Sequence, residues 1–175
     1  MGKGKVMAGF DYSIHPFWKF LKDNYSFEET FHFFGPYTGA SVRAHRMDAD
    51  TIRVEMPLLL NNLNIVGTHF GGSLYSMTDP WFMFLLMEKL GNEYIVWDKS
   101  ARIDFLRPSR STVSAVFYMP DSEAEHIREL VSLHRKTIKT YIADIIDADG
   151  NLVAKVEKEI YIRRALGFSK EDTYK

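Results

Sequence analysis

The stretch "NIVGTHFGGSLYSMTDPWFMFLLM", Asn64 to Met87, sets a glycine pair at the head of a run that is apolar on nearly every side. From about His69 to Leu90 the segment is too long for a strand and reads as one helix. A helix that is apolar all round must be buried on every side. A single carboxylate, Asp79, interrupts it directly before Pro80. Taking an unpaired carboxylate out of water costs several kcal/mol, so something must compensate it or something is gained from it.

On a helix Gly72, Ser76, Asp79 and Met83 fall on one stripe, which gives the buried helix a polar edge. Gly71 and Gly72 carry no side chain, so a ligand or another backbone can approach the first unpaired N–H groups of the helix, where positive charge concentrates. That end can stabilise an oxyanion. Pro80 lacks an N–H and predicts a kink beside Asp79. The plainer alternatives are that Asp79 caps a second helix starting at Pro80 and that the glycine pair is a close-packing contact.

The rest of the chain supplies what surrounds this helix. "HPFWKFLKDNYSFEETFHFF" (His15 to Phe34) spaces Phe17, Phe20 and Leu21 as a helix, and "GPYTGA" is expected to break it. Alternating apolar residues on both sides of Asp48 to Asp50 predict a hairpin, and "NEYIVWDKSARIDFLRP" and "STVSAVFYMP" predict two further strands. Ser122 with Glu125 reads as a capping box, opening a helix that ends near Arg135 and Lys136. Two alternating runs about Asp149-Gly150 form a closing hairpin. Six strands in three pairs result, and they bury the apolar helix only by curling around it.

The 175 residues fit one domain, and a hydrophobic content of 46% is ample for a core. With 22 basic and 23 acidic residues there is no field of one sign, so neither nucleic acid nor an anionic membrane is an expected partner. The longest apolar stretch, Pro80 to Met87, is far below the ~20 residues of a membrane span. The absence of cysteine excludes thiolate chemistry and suits a reducing compartment. A cytoplasmic location is expected, and no secretion signal is legible before Asp11. His15, His32, His45, His69, His126 and His134 are scattered without ligand spacing, so neither a metal site nor a cofactor is expected.

These residues together resemble the hot-dog-fold thioesterases. The pattern is Asn-x-x-Gly-x-x-His-Gly-Gly with an aspartate seven positions after the second glycine, as in thioesterases of the phenylacetate-degradation type. Asn64, Gly67, Gly71, Gly72 and Asp79 stand in matching positions, while Phe70 replaces the histidine and His69 lies one position early. "GTHFGGSLYSM" also resembles an uncharacterised bacterial branch of the same superfamily. The resemblance implies an α+β hot-dog fold, with a six-stranded antiparallel sheet wrapped around a long central helix. With the helices read above, the expected organisation is an N-terminal helical extension over 1–38, the hot-dog domain over 39–165 with a second helix before the C-terminal hairpin, and a tail over 166–175.

The resemblance also implies hydrolysis of an acyl thioester, acyl-CoA or an acyl carrier, at a site shared by two subunits of a homodimer or dimer of dimers. On that basis the Gly72 N–H would polarise the thioester carbonyl, and Asp79 would act as general base or as nucleophile. Asn64 would position water or substrate, with Gly71, His69 and Phe70 around it, and Ser76 could hydrogen-bond the carboxylate. Trp81, Phe82, Met83 and Met87 could line an acyl tunnel or simply be core, and Arg107 and Arg110 could meet phosphates or simply be solvated. Two other readings stand beside hydrolysis: a non-catalytic acyl-CoA binder, and a hydratase or dehydratase, for which His69 is the one nearby histidine.

Overall fold

The computed structural model describes residues 14–165. Three short helices come first, α1 (Pro16–Asn24), α2 (Phe27–His32) and α3 (Gly35–Ala40), followed by strands β1 (Arg43–Arg46) and β2 (Thr51–Met56). Helices α4 (Gly71–Ser76) and α5 (Trp81–Leu90) precede strands β3 (Tyr94–Phe105) and β4 (Val113–Tyr118). Helix α6 (Asp121–His134) then leads into strands β5 (Lys136–Asp147) and β6 (Leu152–Arg164).

The strands form one antiparallel sheet in the order β1-β2-β4-β5-β6-β3. The outer hairpins β1–β2 and β5–β6 form as expected, the second turning at Gly150 with φ +81°. The middle two strands do not pair with each other: β4 joins β2 to β5, and β3 crosses to the far edge beside β6. Alternation marks strands but not partners, and the link from β3 to β4 is too long for a tight hairpin. Strand β6 runs against β5 and β3 along almost its whole length, so its inward side chains Val156, Lys158, Ile160 and Ile162 face the centre of the fold.

The central segment is two helices about a bend at Met77–Pro80, where one kinked helix was expected. Pro80 cannot donate to Ser76, and the chain restarts at Trp81 with Pro80 at the N-cap position and no side-chain cap. The capping reading of Asp79 is therefore wrong. Burial follows the expectation, since Trp81, Phe82, Leu85, Leu86 and Leu90 of α5 are all enclosed.

The N-terminal region also differs in detail from its reading. The expected helix over His15 to Phe34 is broken at Tyr25 and Ser26, because Ser26 and Glu29 make a reciprocal capping box that starts α2 afresh. "GPYTGA" is itself helical, since Pro36 lies in the first turn of α3, where its missing N–H costs nothing. Phe31 and Tyr37 enter the main core beside Trp81, with Phe31 and Trp81 rings 4.7 Å apart. Helix α6 begins at Asp121 after Pro120, so the box proposed at Ser122 is not its start. Among the described residues no helix is long and apolar enough to cross a membrane.

Candidate functional site

The first turn of α4 is built on Phe70, whose carbonyl accepts from both Ser73 (3.0 Å) and Leu74 (3.1 Å). The N–H groups of Gly71 and Gly72 precede those bonds and have no helical acceptor. Each glycine lies under an aromatic ring. A Cβ on Gly71 would sit 3.0 Å from the Phe105 ring edge, and one on Gly72 would run into the Phe70 ring. Phe70 is itself 56% exposed, so its ring covers the Gly72 backbone from the solvent side. The close-packing reading of the glycine pair thus holds for these two rings, and it leaves the N–H groups at a partly open surface.

Asn64 organises the loop that leads into this turn. Its Oδ1 accepts from Val66 (3.0 Å) and Thr68 (3.1 Å), and its Nδ2 donates to the Thr68 hydroxyl (2.8 Å) and the His69 carbonyl (3.2 Å). Gly67, with φ +81°, closes the turn by donating to the Asn64 carbonyl. The side chain's polar atoms are thereby used within the loop. Asn64→Ala is expected to cost roughly 1–3 kcal/mol, as four bonds are lost partly to water. It should also quicken amide exchange at Val66 and Thr68, measurable by hydrogen–deuterium exchange.

Asp79 has a partner that the sequence did not disclose. Its carboxylate accepts from the Lys158 ammonium at 2.8 Å, and Asp98 on β3 lies 3.3 Å from the same nitrogen. The Lys158 side chain is 1% exposed and the Asp79 side chain 52%, so the cation is enclosed and the anion is half in solvent. An ammonium enclosed in this way costs several kcal/mol unless paired, and the two carboxylates meet that cost. Burial alone would lower the Lys158 pKa, but the Asp79 hydrogen bond and the charges of Asp98 and Asp79 outweigh it and leave it raised. Burial raises the Asp98 carboxyl; Lys158 opposes this and the nearby Asp79 charge adds to it. Tyr75 on α4 completes the group, its ring 5.7 Å from the Lys158 nitrogen. Its phenol is raised first by burial, with Lys158 opposing and the two aspartates adding.

The remaining candidates lie apart from this cluster. His69 is buried, and its Nε2 meets the Ser111 carbonyl at 3.0 Å, so its partner is the β3–β4 loop and not a carboxylate. Burial holds its imidazole below the ordinary range. Trp81 is fully enclosed and donates to the Met77 carbonyl at 2.8 Å, which makes it core. Met83 packs against the same core from its edge. Arg110 donates to the Gly67 carbonyl at 3.3 Å, tying its loop to that of Asn64, and Arg107 is exposed nearby. Ser76 lies on the last turn of α4 and gives its carbonyl to the Asp79 N–H at 3.2 Å.

Comparison with known proteins places the architecture. The protein PA5026 of unknown function from Pseudomonas aeruginosa matches with a TM-score of 0.71 at 15% identity, over 79% of this chain and 93% of that one. Thioesterase HI1161 from Haemophilus influenzae matches at 0.57 and 15% identity, over 78% and 87%. The Escherichia coli PaaI protein of the phenylacetic acid degradation operon matches at 0.52 and 17%, over 78% and 88%. Among curated proteins nothing matches. A family described as a domain of unknown function, DUF4442, matches residues 24–162. The chain belongs to that family and carries it on the hot-dog fold.

Proposed function

We propose that this protein hydrolyses an acyl thioester, with acyl-CoA as the substrate class and Asp79 as the reacting carboxylate. The observation that carries the reading is the Asp79 carboxylate itself: half exposed, backed by an enclosed ammonium, and set one bend beyond the glycine-headed turn of α4. As general base, Asp79 takes a proton from water while the water oxygen bonds to the thioester carbon. The resulting oxyanion is met by the Gly72 N–H, and collapse expels the thiolate, which recovers the proton from Asp79. As nucleophile, Asp79 would displace the thiolate directly and water would then open the anhydride. The thioesterase name of a structural neighbour supports the same chemistry.

The test is release of free thiol from short, long and aryl acyl-CoAs. Turnover of any of them supports hydrolysis. If none is cleaved while acyl-CoAs raise the melting temperature, the protein is a binder. The hydratase reading has no support of this kind, because the one nearby histidine turns its Nε2 to the Ser111 carbonyl and is not paired with a carboxylate.

The proposed assembly is a homodimer or dimer of dimers in the cytoplasm. The 12-residue strand β3 supports it, since it lies at one edge of the sheet formed by the described strands, where a second copy can add. Light scattering at micromolar concentration is expected to give twice or four times the chain mass of 20.3 kDa. A monomer would remove the shared site.

A further inference from the structure

We infer that Lys158 is a positioning residue for the reaction, its enclosed ammonium held by Asp98 on one side and aiming the Asp79 carboxylate on the other. This rests on the hydrolytic reading of Asp79 above. The asymmetry of the cluster argues for it. A structural ion pair serves stability best when each charge relieves the other's burial, yet Asp79 is half solvated and needs no such relief. The lysine is enclosed to reach a carboxylate that water already serves. What the contact adds is direction, by fixing one oxygen of Asp79 at 2.8 Å from an ammonium carried on β6.

The sheet is shaped to allow this. Lys158 is paired across the sheet with Ala101 on β3 and Tyr141 on β5. Between Asp98 and Ser100 the β3 register slips, so that Asp98, opposite Ile160, and Ala101, opposite Lys158, lie on one face of the sheet. A bulge of this kind re-aims a side chain, and here it brings Asp98 to the ammonium. The groups facing Lys158 are Tyr75 from α4, Asp79 from the α4–α5 bend, Asp98 from β3 and Tyr141 from β5. Tyr141 gives its hydroxyl to Glu123 on α6, and Tyr37 on α3 gives its own to the Met77 carbonyl, so neither competes for Asp79.

The experiment compares wild type, Lys158→Met, Lys158→Arg and the double variant Lys158→Met/Asp98→Asn. Thiol release is measured over a range of substrate concentrations, with circular dichroism and a melting curve for each protein. The double variant leaves no enclosed unpaired charge and so guards against simple misfolding. The expected result is a loss of about 10–100-fold in kcat for the variants lacking a cation, as for a reacting group misplaced by about 1 Å, with KM changed little. Lys158→Arg, which keeps a cation at the site, retains most of the wild-type kcat. If the folded Lys158→Met and double variants retain wild-type kcat, the inference is overturned while hydrolysis stands. If the wild type cleaves none of the panel, the hydrolytic reading falls and this role of Lys158 falls with it.

Discussion

Asp79→Asn is expected to lower thioester hydrolysis by about 10²–10⁴-fold, the range associated with losing a placed acid–base group. The fold should remain. Asp79 is half exposed, and an asparagine carbonyl can still accept from Lys158, while Asp98 keeps the ammonium paired. The amide neither takes a proton from water nor attacks a carbonyl carbon, so the loss appears in kcat. Thiol release beside a melting curve separates the two effects. A variant that keeps wild-type turnover would remove Asp79 from the chemistry.

Trp81→Ala carries the largest expected cost in stability, about 3–5 kcal/mol, the range for removing an enclosed aromatic without collapse of the space it leaves. Little collapse is available. The Trp81 ring lies among Phe27, Phe31, Tyr37, Phe84 and Phe117, which come from α2, α3, α5 and β4. The Met77 carbonyl at the bend also loses its indole donor. For a domain of this size the change corresponds to roughly 10 °C in Tm, read by calorimetry. A shift of only a degree or two would mean that the ring contributes little to joining the N-terminal helices to the core.

Much of this architecture was legible before any coordinates. The all-round apolar run from His69 to Leu90 required enclosure, and the alternating segments supplied the six strands that give it. Strand partners were not legible, because period two fixes which face a residue takes and not which strand lies beside it. The break at Ser26 was written in the spacing of Ser26 and Glu29, a signal outweighed by the apolar periodicity around it. In the site, Gly71, Gly72 and Asp79 were legible as a pattern, but the answer to the carboxylate lay 79 residues away. It could have been found within β6, where the inward run Val156, Lys158, Ile160, Ile162 puts a cation on an apolar face. Asp98 was harder to find, since its relation to Ala101 depends on a register slip that the sequence does not announce.

The separation of Asp79 from Lys158 has a consequence for synthesis. Helix α5 and the bend before it emerge early, whereas the lysine arrives on β6, the last of the described strands. Until that strand docks between β5 and β3, the aspartate of a growing chain has no cation behind it. The order of translation thus makes the Asp79–Lys158 contact one of the last to form, and its presence marks a sheet that has been completed.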